Sequence, residues 1–255
     1  MVSLTLDLSI LPVFLLLVCR VAGIVVAAPL LGSGRVPARL KAALALTVSL
    51  LLTPVAGAVP EAASALSMAL AAGGEFLLGL AIGFSASLIF SAVQMAGELA
   101  DSQSAFGFAG MVSPQTGERN SVIGELQMSL AWLIFLAANG HHVVLEGIGK
   151  SLAAAPLGTG PGLSAPVLTD ALVGLMLASI RIAAPVVAAA LLADLALGLL
   201  TRAAPQMNLF AVGFPIKLAV GLLAAMLSLP AFSAIFRGLI PATGDIITGI
   251  LAAAR

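Results

Sequence analysis

The chain has 255 residues, 61% hydrophobic and only 9% charged, with a formal net charge of zero. A soluble domain carries roughly a quarter charged residues, so this chain, with a mean hydropathy of +1.18, has too little polar surface to cover a globule in water and reads as a multi-span integral membrane protein. No basic run or tail points to nucleic acid, and the single cysteine, Cys19, excludes a disulfide framework.

A membrane-crossing helix needs roughly 20 apolar residues. The first candidate is Leu8–Leu31; Asp7 is the only charge before it and there is no basic leader, so it reads as a retained segment rather than a signal peptide. Cys19 within it reads as a small buried hydrophobe. Arg35, Arg39 and Lys41 form the densest basic cluster, which positive-inside reasoning puts in the cytoplasm with both termini outside. Ala42–Val59 is the second candidate. Glu61 and Glu75 fall in the loop that follows, and Ala62–Gly73 is a shorter alanine-rich lead-in to the third candidate, Phe76–Gly97. Leu126–Leu145 is the fourth. Residues 151–170, rich in proline and glycine, read as a linker between a larger front part (1–150) and a C-terminal part (171–255). That part contains a hairpin of Ala171–Thr201 and Asn208–Leu229, then a short helical stretch, Ala231–Arg255, broken by Pro241 and Gly244. No alternating strand pattern occurs. The expected fold class is all-α, with about six long apolar helices in hairpins.

The third helix and its exit are the most informative stretch. Gly79, Gly83, Ser87 and Ser91 recur every four residues, small-residue steps that let another helix approach closely. Ser87, Ser91, Gln94, Glu98 and Asp101 draw one polar stripe, which reads either as a packing seam or as a wall facing a conduit. Glu98 and Asp101 are three apart, so they share a face where like charges repel unless something relieves them. A glycine-rich segment with Phe106, Phe108 and Met111 follows within about 102–117.

The C-terminal hairpin carries isolated charges in apolar surroundings: Arg181, Asp194 and Lys217. Such charges pair or line a polar cavity. Arg181 and Asp194 point to nearly opposite faces about 20 Å apart along the axis, so each needs a partner on another helix. Together with Arg20 they are taken as inter-subunit charges. Ala171–Thr201 would be roughly 45 Å long if straight, more than a bilayer core, with Pro185 and Pro215 as expected kinks. Enzyme signals are weak. His142 and Glu146 stand at i, i+4 after Asn139-Gly140, a possible two-ligand face, but these are the only two histidines and a helix-end polar cluster is the simpler reading.

The blocks APLLGSGRVPARLKAALAL (28–46), GLAIGFSASLIFSAVQMAGELADSQSAFGFAGMVSPQTG (79–117), NGHH (139–142) and RAAPQMNLFAVGFPIKLAVGLL (202–223) occur in order and cover nearly the whole chain. They resemble the FliR family of flagellar export-gate subunits, which is related to injectisome export subunits of type III secretion. The front part looks like FliP, and the region from Arg181 through Lys217 looks like FliQ. The resemblance implies a non-enzymatic role without catalytic residue, metal or cofactor. It implies assembly with FliP-like and FliQ-like subunits, contacts with FlhB and FlhA, and passage of unfolded export substrates through a channel core in the bacterial inner membrane at the flagellar basal body. It also implies a plug. Mapped here, Phe106, Gly107, Phe108, Gly110 and Met111, with Pro114 and Gln115, would seal the closed pore; aromatic and thioether groups exclude water, and glycines give the backbone freedom to swing. Ser104 and Ala105 stand where the family often has a bulkier apolar residue. An injectisome subunit of the same architecture is the alternative, and a small-solute transporter a further one.

Overall fold

Runs of alanine and leucine favour helix at almost every position, and the computed structural model is helical accordingly. It describes residues 10–29, 32, 36–57, 64–105, 121–158, 164–206 and 208–253. Among these are seven α-helices: α1 (Ile10–Ala27), α2 (Ala38–Leu52), α3 (Ala65–Gln103), α4 (Val122–Ala137), α5 (Gly140–Ala154), α6 (Ala165–Ala203) and α7 (Leu209–Ala253). Four of them, α1, α3, α6 and α7, are long and apolar enough to cross a membrane, and the bent pair α4 and α5 would make a fifth span.

Polar residues start several helices. The Ser64 hydroxyl accepts from the Ser67 N–H at 3.2 Å ahead of α3, and the Ser121 hydroxyl accepts from the Gly124 N–H at 2.9 Å ahead of α4. Each meets a backbone donor that the first helical turn leaves open.

Three elements differ from the sequence expectation. The segment read as one helix over Leu126–Leu145 is broken: α4 ends at Ala137, α5 starts at Gly140, and the two are bent by 62°. Asn139 sits there at φ 55°, and Asn-Gly is suited to this because asparagine tolerates the left-handed conformation that ends a helix. The alanine-rich lead-in and the third helix are one helix of 39 residues, so Glu75 lies inside α3 and not in a loop. The expected break at Pro241 and Gly244 is absent, and α7 runs unbroken for 45 residues. A proline removes one backbone hydrogen bond but leaves the others. Ile240, Ile247, Ile250 and Leu251 are buried on either side of that point, which holds the helix in register.

The described residues pack as two units that interleave along the chain. The first takes residues 1–88, 141–171 and 241–255. Its core joins Ile24 of α1, Leu78 and Ile82 of α3, Ile148 of α5 and Ile247 and Ile250 of α7, and α1 also packs on α2 through Val21, Val25 and Ala45. The second takes residues 89–140 and 172–240. Its core joins Ala100, Ile123, Val186 and Ala225, together with an aromatic cluster in which Phe90 stacks on Trp132 at 3.9 Å and meets Phe135 and Phe236 edge-on. The expected front part, linker and hairpin form a different kind of division, read from proline and glycine content and from resemblance; within it, helix occupies 151–154 and 165–170 of the expected linker.

Candidate functional site

In the second unit the C-terminal turns of α3 meet the start of α4. The two helices touch backbone to backbone, since a Cβ on Gly97 would overlap the Gly124 Cα. One turn further on, the Asp101 Oδ1 accepts from the Ile123 N–H at 3.2 Å. Asp101 is 6% exposed and Gln127, one turn along α4, is 2% exposed. Asp101 Oδ2 and Gln127 Oε1 are both buried with no hydrogen-bond partner among the described residues. Ser104 and Ala105 are also buried, and a Cβ on Gly221 of α7 would lie 2.9 Å from the Ser104 Cβ. Residues 101–105 and 121–127 thus form a packed neck on both sides of 106–120.

The polar stripe of α3 does not face one space. Ser87 and Ser91 are half-buried, Gln94 and Glu98 are exposed, and Asp101 is buried. Gln94 Nε2 donates to Glu98 Oε1 at 3.3 Å. The expectation that Glu98 and Asp101 share a like-charged face gives way to a split: residues three apart differ by about 60° around the axis, enough to put Asp101 on the α4 seam and Glu98 outside it. The plug residues Phe106, Gly107, Phe108, Gly110, Met111, Pro114 and Gln115 lie outside the described residues.

Gly79 and Gly83 do form a helix-packing seam, in the first unit. A Cβ on Gly79 would overlap the Arg20 carbonyl, and one on Gly83 would lie 2.6 Å from the Ile24 carbonyl. Gly23 on α1 faces them just as closely, its added Cβ overlapping the Phe76 carbonyl.

The charges taken as inter-subunit sort differently. Arg20 is 1% exposed and Glu75 2%. Arg20 Nε donates to Glu75 Oε2 at 2.5 Å. Its other nitrogens donate to the Ser151 carbonyl at 3.0 Å, the Ser151 hydroxyl at 3.3 Å and the Ala155 carbonyl at 2.8 Å. Glu75 Oε1 accepts from the Gly158 N–H at 2.8 Å. Arg20 therefore has partners within its own chain, where it neutralises a carboxylate and caps the carbonyl end of α5. Asp194 and Lys217 also find each other across the α6–α7 hairpin, at 2.7 Å to Oδ1 and 3.0 Å to Oδ2. Arg181 is exposed, and of the four it alone has no ion pair among the described residues.

At Asn139-Gly140-His141-His142, the two histidine rings meet at 4.3 Å, and Glu146 pairs with Lys150 at 2.9 Å. Sequence reasoning placed Glu75 in a loop and missed Gln127 and the Gly97–Gly124 contact. Glu75 carried a signal: a carboxylate inside an apolar helix calls for a cation, and Arg20 is the one basic residue of α1.

The profile of the bacterial export proteins, family 1, matches residues 11–242. The flagellar biosynthetic protein FliR of Bacillus subtilis (strain 168) is 30% identical over 250 residues, covering 96% of each chain. FliR of Escherichia coli (strain K12) is 33% identical over 216 residues, 83% of each chain. The Yop proteins translocation protein T of Yersinia pestis is 29% identical over 160 residues, 61% of each chain. With a profile match across most of its length and FliR chains similar nearly end to end, this all-α membrane protein belongs to the bacterial export proteins, family 1, alongside the FliR proteins.

Proposed function

We propose that this chain is a non-enzymatic subunit of the protein-export channel core of the bacterial flagellar type III secretion apparatus, and that residues 106–115 act as the plug that gates passage of unfolded substrates. The reading is carried by the similarity to a flagellar biosynthetic protein over 96% of both chains. Surface chemistry supports an assembled state. On α6, Leu172, Met176, Leu191, Leu195 and Leu199 are exposed, and on α7 Leu223 and Leu227 are exposed too. A helix of 45 residues spans about 68 Å, against a hydrocarbon core of about 30 Å. Lipid alone covers less than half of such a helix, so FliP-like and FliQ-like subunits are the proposed cover, with FlhB and FlhA as further partners, in the bacterial inner membrane at the flagellar basal body.

Deletion of Phe106–Met111 tests the plug. Cells expressing the complex should leak small ions, and unchanged membrane conductance would sink the plug reading. Extraction in mild detergent tests the assembly: the chain should come out with FliP-like and FliQ-like subunits, whereas a stable monomer would count against it. The similarity to a Yop translocation protein keeps an injectisome subunit as the second reading. Complementation of a non-motile strain lacking its own FliR separates the two.

A further inference from the structure

We propose that a groove in the first unit, between α5 and the C-terminal part of α7, receives one helix of a neighbouring subunit and seats a lysine or arginine of that helix between Glu146 and Asp245. The proposal rests on the assembly reading above and not on the plug.

The groove consists of two adjoining cavities. Val143, Glu146, Gly147 and Lys150 of α5 and Asp245 and Ile247 of α7 line one of about 240 Å³. Ala153 and Ala154 of α5, with Leu251 and Ala252 of α7, line the other, of about 340 Å³. Lys150 and Thr248 border both. Residues 143–154 of α5 and 241–252 of α7 therefore run side by side in the same direction, and the seam between them is roughly 17 Å long.

The two cavities differ in chemistry. The first has two carboxylates and one ammonium on its walls. Lys150 is already paired with Glu146, at 2.9 Å. Asp245 is exposed and lies within the apolar span of α7, yet it has no ion pair among the described residues. A charge in such a span calls for an opposite charge or a polar cavity. The second cavity presents mainly alanine and leucine. The groove as a whole asks for a cation at one end and an apolar group roughly one to two helical turns further on.

Lipid does not suit this pattern. Acyl chains would strand the Asp245 carboxylate, and a lipid phosphate would meet two like charges. An extended peptide does not suit it either, because α5 and α7 hold their backbone groups within their own helices and leave none to pair with a strand. A helix brings its own backbone hydrogen bonds and presents anchors at i and i+4. A basic side chain on it neutralises Asp245, and its next turn lays an apolar side chain on Ala153, Ala154 and Leu251.

The test uses the full chain in its co-expressed complex, with the photo-crosslinking residue p-benzoylphenylalanine in place of Thr248, which is exposed and borders both cavities. Illumination should join the chain to one co-purifying subunit, through a peptide with a lysine or arginine within one or two turns of the joined residue. Asp245→Lys should lower the adduct several-fold, and Asp245→Asn, which keeps the shape, should lower it less. Ala153→Phe, at another exposed position, should lower it by filling the apolar cavity with the charges intact. Adducts with lipid alone, a joined peptide without a basic residue, or an unchanged yield in Asp245→Lys would each overturn the inference. Subunits that co-purify without an adduct at position 248 remove the groove and leave the assembly standing. A chain that leaves the membrane alone removes both.

Discussion

Arg20 and Glu75 lie 55 residues apart in sequence and 2.5 Å apart in the fold, both with essentially no exposure. The pair closes a network that takes in α1, α3, the end of α5 and the backbone at Gly158. A buried ion pair is not automatically stabilising, because two charges must be taken out of water. Here the guanidinium and the carboxylate are hydrogen-bonded on several sides, so removing either partner strands the other. Arg20→Ala or Glu75→Ala should each destabilise the first unit by about 3–5 kcal/mol. The double variant Arg20→Met with Glu75→Leu should be milder than either. Arg20→Lys should fail as well, since one ammonium cannot reproduce a fork that reaches a carboxylate and two carbonyls. Thermal inactivation of the detergent-extracted complex measures all four. Equal damage from the single and double variants would contradict the stranding argument.

Glycine substitutions divide along the helices. Gly79, Gly83 and Gly23 have backbone of the facing helix where a Cβ would go, while Gly174 and Gly198 have nothing within 4 Å. Backbone cannot move aside as a flexible side chain does. Gly79→Ala and Gly23→Ala should therefore part α1 from α3 and lower extraction yield, despite alanine's higher helix propensity. Gly174→Ala should raise helix stability by about 0.5–1 kcal/mol. Yield and melting of the folded chain in detergent would reveal whether the two classes behave differently.

Much of this was legible in the sequence. Hydropathy found the apolar helices because membrane-crossing segments leave little ambiguity of period, and four-residue glycine spacing announced the Gly79–Gly83 seam. What escaped detection was pairing between distant segments. Arg20 and Glu75 sit in apolar runs, and nothing local says that the cation on α1 meets the carboxylate on α3. Asp194 and Lys217 are likewise 23 residues apart and align only because the α6–α7 hairpin brings them to one level. The α4–α5 break was within reach: Asn139-Gly140 is a helix-ending dipeptide, outweighed in the reading by continuous hydropathy. Burial of Asp101 was not, because a helical repeat assigns a face to each residue and not a partner to each face.

Asp194 and Lys217 are partly exposed, at 44% and 27%, so in water the pair would contribute only about 0–1 kcal/mol. Its setting among the exposed leucines of α6 and α7 makes the loss of one partner matter more, because the remaining charge then faces lipid or an apolar neighbour. Lys217→Met should reduce the yield of assembled complex, and adding Asp194→Asn should restore part of it. The exchange Asp194→Lys with Lys217→Asp should keep assembly near the parent level. If Lys217→Met alone leaves assembly intact, the pair is a surface contact without consequence.

Arg181 tests the proposed assembly from the other side. It is exposed on α6, between Leu177 and Ile180 on one side and Leu191 and Leu192 on the other, all exposed apolar residues. Its guanidinium has no ion pair among the described residues, while the buried face of the same helix, through Ile182, Val186 and Ala190, is fully packed. Substitution should therefore leave folding of the chain unchanged and act on association alone. Arg181→Glu should retain membrane insertion and the melting behaviour of the isolated chain, and should lose co-extraction of a neighbouring subunit together with export. Arg181→Lys should keep much of both, because it retains the positive charge, although an ammonium cannot bind a carboxylate as a fork. The measurement is co-purification from mild detergent alongside motility. A variant that assembles and exports normally with Glu at this position would show that Arg181 faces solvent and has no subunit opposite.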